Sequence, residues 1–285
     1  MMTRLTTYVE LTKPRVNTMV VLTAAAGFYL GSTGLFNWWL FLHALLGTGL
    51  IASGTAVLNE VLEQDNDSRM RRTSKRPLPA RRLSRRSATL FGVALVIGST
   101  VYLAAAVNLL TACLGFLTSL IYLAVYTPLK TRTSLCTTVG AFSGASPPLM
   151  GWTAVRGSVD WDALLLFAIL FFWQFPHFLA IAWVYKEDYE RGGFKMLPLF
   201  DDSGGRTAGR VLFFNIVLLG VSLLPSLTGL TGLRYLQGAA LLGGTFLWFG
   251  GLLARERSLN SARLLLRASV IYLPLLLSLM VVDKA

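Results

Sequence analysis

The chain holds fourteen acidic residues, and seven of them gather in two short segments. Glu60, Glu63, Asp65 and Asp67 form the first, with Arg69, Arg71, Arg72, Lys75 and Arg76 just behind them. Glu187, Asp188 and Glu190 form the second, among Lys186, Arg191 and Lys195. Asn59, Glu63 and Asp67 are spaced i, i+4, i+8, so a continuing helix keeps them on one face while Asp65 turns away. Three oxygen-bearing side chains on one stripe suit a hard cation such as Mg²⁺. The neighbouring arginines suit phosphate, whose oxygens a guanidinium meets in a fork. The spacing therefore points to Mg²⁺-bridged recognition of a diphosphate. It fits equally a solvated loop of mutually paired charges whose arginines touch anionic lipid.

These clusters need elements to carry them, and composition says which kind. Of 285 residues, 54% are hydrophobic and 14% charged, and the mean hydropathy is +0.59. A water-soluble domain carries about 25% charged residues, so the sequence predicts an all-α, polytopic membrane protein. A window of about 20 apolar residues gives nine spans, near 16–33, 38–58, 88–106, 109–127, 135–155, 161–184, 211–229, 234–253 and 264–282. The third and fourth are joined by a short turn at Asn108 and form a hairpin. With the N-terminus cytoplasmic, 23 of the 26 Lys and Arg fall in inside segments, the asymmetry expected of such proteins. Both clusters then lie on the cytoplasmic face, in loops 59–87 and 185–210 of a single domain spanning 1–285. The formal charge of +12 is accounted for by these loops, so no nucleic-acid partner is expected. Cys113 and Cys136 fall in apolar segments without a Cys-x-x-Cys pair, which argues for buried thiols. Gly27 and Gly31, like Gly140 and Gly144, stand four apart, a spacing that lets helix backbones approach closely.

The stretch from Asn59 to Pro79, with Glu63, Asp67, Arg72-Thr73 and Arg76-Pro77, resembles the first signature of the UbiA superfamily of intramembrane prenyltransferases. Asp65 and Met70 resemble its protohaem IX farnesyltransferase branch in particular. So do Trp173-Gln174-Phe175-Pro176-His177-Phe178 and the run from Tyr185 through Asp188 and Tyr189 to Pro198. Leu11-Thr12-Lys13-Pro14-Arg15, Tyr126-Thr127-Pro128-Leu129-Lys130 and Ser146-Pro147-Pro148 add further ordered matches. Two positions depart from the wider superfamily. Glu63 stands where most members have Asp, and Tyr185 and Tyr189 hold the places where quinone-type relatives carry a second Asp pair.

The resemblance implies transfer of a farnesyl group from farnesyl diphosphate to a vinyl group of protohaem IX, with water completing the product. Haem is then a substrate and not a prosthetic group. Asn59, Glu63 and Asp67 would hold Mg²⁺, and Arg72, Arg76, Lys130 and Lys186 would bind the diphosphate. Asp188 would join the catalytic set, within a second motif made by Tyr185, Asp188 and Tyr189. His177 and Trp173 would meet haem. A bacterial inner membrane is the implied location, with membrane lipid and a haem A synthase or haem-copper oxidase assembly as partners.

His177 is the residue on which the two readings of the sequence differ most. An ionisable side chain inside an apolar helix is a functional candidate, and the alternative is a neutral imidazole bonded to a neighbouring helix. His43 has no such context and is expected to be structural. Three rival functions are weaker. An aromatic acceptor such as 4-hydroxybenzoate goes with Asp at both tyrosine positions. A transporter needs ionisable groups and broken helices at mid-membrane, whereas these clusters lie at helix ends. A CDP-alcohol phosphotransferase needs Asp-Gly, and no Asp here precedes Gly.

Overall fold

The computed structural model describes residues 4–285, so residues 1–3 of the expected cytoplasmic segment lie outside the described part. In chain order the helices are α1 (Arg4–Leu11), α2 (Pro14–Gly31), α3 (Trp38–Arg69), α4 (Arg85–Ala106), α5 (Leu109–Leu120), α6 (Thr127–Leu129), α7 (Cys136–Gly144), α8 (Ser146–Arg156), α9 (Trp161–Val184), α10 (Lys186–Arg191), α11 (Gly205–Leu227), α12 (Leu233–Glu256) and α13 (Leu259–Val282). A π-helical turn, Ile121–Tyr126, joins α5 to α6, and a 3₁₀ turn, Leu197–Phe200, precedes α11. No β-strand occurs among the described residues, so the expected all-α class holds.

Among the described residues, seven helical stretches are long and apolar enough to cross a membrane: α3, α4, the continuous run Leu109–Leu129, α9, α11, α12 and α13. Two expected spans are not in this set. The first is α2, only 18 residues long with Pro14, Arg15 and Asn17 in its opening turn. The second, 135–155, is divided into α7 and α8 at Ala145, just ahead of Pro147 and Pro148. Proline lacks the amide that would continue the helical ladder. The expected boundary after 58 also moves: α3 runs 32 residues to Arg69, so Asn59 to Asp67 are helical and the loop begins at Met70.

Outward-facing Leu, Val, Ile and Phe side chains line these helices, as expected where the solvent is hydrocarbon. Trp38, Trp39 and Trp161 stand exposed at the first residues of α3 and α9, where aromatic side chains favour the membrane–water boundary. Cys136 is buried, but Cys113 is exposed on α5. An apolar segment in a membrane protein need not point inward, and this corrects the expectation for Cys113.

The chain forms two compact units. The first comprises the described residues up to Ser158 together with Glu187–Lys195. In it α4 lies along α3, and α8 along α2. The α2–α8 contact is backbone on backbone: a Cβ at Gly27 would fall on the Pro148 carbonyl, and one at Gly151 on the Ala24 carbonyl. Gly27 thus has the role its spacing suggested. The α4–α5 hairpin also holds, with Asn108 capping α5 through Thr111 N (2.8 Å). Leu11, Val57, Val61, Leu78 and Ala88 form one small core, which ties α1 to the C-terminal half of α3.

The second unit, Val159–Lys186 with Met196–Ala285, is a ring of four helices. Helix α11 packs on α9 and α12, and α13 closes on α12 and α9. Ser222 on α11 links α12 and α13 through its polar atoms. Its carbonyl accepts from Tyr235 OH (2.8 Å), and its hydroxyl meets Tyr272 OH (2.9 Å). Such hydroxyl contacts hold helices together where apolar packing alone gives no preference over lipid.

Candidate active site

The stripe read from the sequence exists. Asn59, Glu63 and Asp67 occupy the C-terminal half of α3, and each is at most 5% exposed. Burying carboxylates is costly unless a cation meets them, and a different segment supplies one to each position. Lys13 Nζ donates to Asn59 Oδ1 (3.1 Å) from the junction of α1 and α2. Lys130 Nζ lies 2.6 Å from Glu63 Oε1, at the end of α6. Arg76 Nη1 donates to Asp67 Oδ2 (2.6 Å) from the turn that follows α3. Asp65 is exposed, as its place off the stripe requires.

The supports of this cluster are as specific as its members. Asn59 Nδ2 donates to Thr127 Oγ1 (3.2 Å), and Thr127 Oγ1 donates to the Tyr122 carbonyl (2.9 Å) across the π-helical turn. Isolated π turns are concentrated at functional sites. This one sets Tyr126 so that the Lys130 ammonium sits 4.4 Å from its ring centroid, within cation–π range. Burial alone would lower the Lys130 pKa; the Glu63 carboxylate, followed by the two tyrosines, outweighs it and leaves the ammonium well above its ordinary value. For Lys13 the pull of Glu63 and Glu60 is outweighed. Burial first, then the charge of Arg76, holds it down to about 8.

The turn after α3 is fixed by its own carbonyls and by Glu60. Thr73 Oγ1 donates to the Asp67 carbonyl (2.9 Å), and Leu78 N donates to Glu60 Oε1 (3.2 Å). Glu60 therefore closes the loop and is no part of the stripe. Outside this turn, Glu10 takes a bidentate pair from Arg82 (both 2.7 Å), pinning α1 against it.

The second acidic segment sends Asp188 into the same unit. Its carboxylate accepts from Arg71 N (3.0 Å), Arg72 N (3.2 Å) and the Arg191 guanidinium. Burial would raise its pKa; Arg191 and the two amides overcome this and hold it below the usual carboxylate range. Tyr189 packs edge-on against Phe194. In the second unit, Tyr185 ends α9, half exposed. Lys186 lines a pocket of about 210 Å³ with Trp183, Asp201, Asp202 and Arg257.

Trp173 and His177 lie one turn apart on α9 and share a partner on α13. Trp173 Nε1 donates to the Ser269 carbonyl (2.9 Å), and His177 Nδ1 meets Ser269 Oγ (2.7 Å). Their rings stack at 4.6 Å. The bond to a neighbouring helix, expected as the structural alternative for His177, is thus present, and it engages one ring nitrogen. His43 is similarly paired, through Nδ1 to Tyr102 OH (2.5 Å).

The donor types suit Mg²⁺, one amide carbonyl and two carboxylates, each with a second oxygen or lone pair beyond the cation it already meets. Among the described residues no three His, Cys, Asp or Glu side chains converge as a metal cage. A few protein oxygens supplemented by water and substrate phosphate is how Mg²⁺ is ordinarily bound. Lys13 and Thr127, and the loop-closing role of Glu60, are what reasoning on spacing missed. Only the Lys13-Pro14-Arg15 and Tyr126-to-Lys130 matches hinted at two of them.

The UbiA prenyltransferase family model matches residues 20–272. The chain is 48% identical to the protoheme IX farnesyltransferase of Solibacter usitatus, over 97% of this chain and 98% of that one. It is 45% identical to that of Koribacter versatilis, over 97% and 93%. Among solved structures, a digeranylgeranylglyceryl phosphate synthase superposes with TM-score 0.83 at 18% identity, covering 99% of both chains. A UbiA homologue from Archaeoglobus fulgidus, bound to DMAPP and Mg²⁺, does so with TM-score 0.73 at 19% identity, over 96% of this chain and 97% of that one.

Proposed function

Because the chain belongs to the UbiA prenyltransferase family, we infer that it farnesylates protohaem IX, joining the farnesyl group of farnesyl diphosphate to a haem vinyl group and adding water to give haem O. It is a prenyltransferase and an integral, multi-pass membrane protein. The observation that carries the acceptor is full-length identity of 48% to a protoheme IX farnesyltransferase. A bacterial inner membrane is the location we assign, and delivery of product to a haem A synthase or a haem-copper oxidase assembly would follow.

The chemistry is cleavage of an allylic C–O bond, which loads negative charge on the departing diphosphate. Preorganised cations aimed at that charge act most strongly where water is excluded. Arg72, Arg76, Lys130 and Lys186 are the groups we assign to it. Glu63 keeps Lys130 protonated, so its charge is in place before substrate arrives. Asn59, Glu63 and Asp67 would hold Mg²⁺, which supplies Lewis-acid stabilisation to phosphate oxygens. Trp173 and His177 we assign to the macrocycle. Since Ser269 engages Nδ1 of His177, Nε2 is the nitrogen that would face haem.

Haem extracted from membranes tests the reaction. With the protein expressed in cells that lack such an enzyme, a haem heavier by one farnesyl group and one hydroxyl should appear in the mass spectrum. A gain of any other prenyl mass would refute the donor, and an unchanged haem would refute the acceptor.

For topology we propose nine crossings, with α2 and the broken pair α7–α8 completing the seven long helices, one 1–285 domain, and a cytoplasmic N-terminus. Segments 59–87 and 185–210 carry 14 of the 26 basic residues and would face the cytoplasm. In a background lacking Cys113 and Cys136, a cysteine replacing the exposed Ala80 should resist a membrane-impermeant maleimide in intact cells and react after lysis. Labelling from outside would invert the arrangement.

A further inference from the structure

The segment Glu187–Lys195 touches the rest of the first unit at three places, two of them on the main chain of cations in the diphosphate set. Asp188 accepts the backbone amides of Arg71 and Arg72 (3.0 and 3.2 Å). Asn66 Nδ2 donates to the Gly192 carbonyl (2.6 Å). Lys195 N donates to the Lys130 carbonyl (2.6 Å). The seat is tight. Met70 is buried, and a Cβ at Gly192 would come 2.9 Å from its sulfur. Gly193, at φ 72°, takes a left-handed conformation, and Phe194 N returns to the Tyr189 carbonyl (2.9 Å). That reversal ends α10 and sends Lys195 towards Lys130.

Both Asp188 oxygens are engaged by N–H donors, since Oδ1 takes Arg71 N and Arg191 while Oδ2 takes Arg72 N. We propose that Asp188, with Asn66 as its second anchor, is a positioning residue. It splints the Arg71–Arg72 turn and Lys130 into one rigid cation array and does not act as a second metal ligand. The reading rests on the prenyl-diphosphate function assigned above. The physical case is entropic. A turn bearing several arginines repels itself and samples many conformations, and ordering it on demand would cost binding energy. An anionic side chain bonded to backbone amides fixes the main chain that carries the guanidinium groups. The tyrosines at 185 and 189 fit this reading, because a splint needs only the one carboxylate between them.

The test uses the full-length protein in lipid nanodiscs, as Asp188→Ala, Asp188→Asn and Asn66→Ala. Asp188→Ala and Asn66→Ala should each raise KM for farnesyl diphosphate, and weaken inorganic diphosphate binding by calorimetry, by about tenfold, the effect of one lost anchoring contact. The Mg²⁺ concentration for half-maximal rate should stay within about twofold of wild type, because the metal donors are untouched. Asp188→Asn keeps an amide acceptor and should recover part of the loss. A metal ligand would behave otherwise: Asp188→Ala would shift the Mg²⁺ requirement while Asn66→Ala was silent, and that result would overturn the splint. Hydrogen exchange separates this from the function itself. The Arg71 and Arg72 amides should be protected in the wild type and lose that protection in Asp188→Ala and Asn66→Ala, whatever substrate is used. Unchanged protection would sink the proposal even if farnesyl transfer were confirmed. Failure of the wild type to bind diphosphate, with protection lost in the variants, would leave the splint standing and remove its assigned substrate.

Discussion

Replacing Asp67 by Asn should slow farnesyl transfer by ~10²–10³-fold, the loss seen when one preorganised electrostatic group is removed, about 2.7–4 kcal/mol. The substitution keeps the shape of the side chain and deletes its charge. Two contacts that hold the following turn, from Thr73 Oγ1 and Met70 N, go to the Asp67 carbonyl and not to the carboxylate. The helix end should therefore survive, and a thermal melt within a few degrees of wild type would show it. What is lost is the partner of Arg76 and one of two carboxylates on the stripe. The control is Asp65→Asn. Asp65 is exposed and lies off the stripe, so its variant should turn over at close to the wild-type rate. Equal loss in the two variants would mean that the donors proposed for Mg²⁺ do not follow the helical face.

Gly151→Val should have an equally large effect, on folding and not on chemistry. A Cβ there falls on the Ala24 carbonyl and crowds the Phe28 amide 2.8 Å away. Neither can yield without parting α2 from α8. A backbone clash in a close-packed interface belongs with the largest single-residue effects, above about 4 kcal/mol. The variant should not accumulate as a monodisperse peak in detergent extracts of membranes. Gly98→Val on α4 is the matched control, because nothing lies within 4 Å of its Cβ position. If both variants accumulate alike, the α2–α8 contact is not what holds this part of the molecule.

Much of this was legible in the residues, for reasons that differ by scale. Helix α9 begins and ends where apolar content predicts, at 161 and 184, because hydrocarbon length sets both limits. The stripe on α3 was legible because a helix converts spacing into direction. What the sequence hides is partnership across distance. Lys13 and Asn59 are 46 positions apart, and Arg71 and Asp188 are 117 apart. No local period records either pairing. For the same reason Asp188 reads as one more acid in a cluster, when its oxygens are in fact directed at main-chain amides. Lys130 and Tyr126 could be picked out by resemblance, but the π turn that orients them has no compositional mark in Ile121-Tyr-Leu-Ala-Val-Tyr126.

That turn gives the run from Leu109 to Leu129 two angular phases. Ahead of it, Thr111 and Ser119 point towards Thr153 and Thr55. Behind it, Thr127 and Lys130 point at Asn59 and Glu63. A wider turn offsets everything downstream around the helix axis, and each residue of offset is worth about 100°. Deleting one residue between 121 and 126 would restore a uniform ladder at little cost to the helix, yet it would swing the Lys130 ammonium well off the Glu63 carboxylate. Length in this short stretch therefore acts as a phase setting for the charge on the site, and substitutions there should be tolerated far more readily than insertions or deletions.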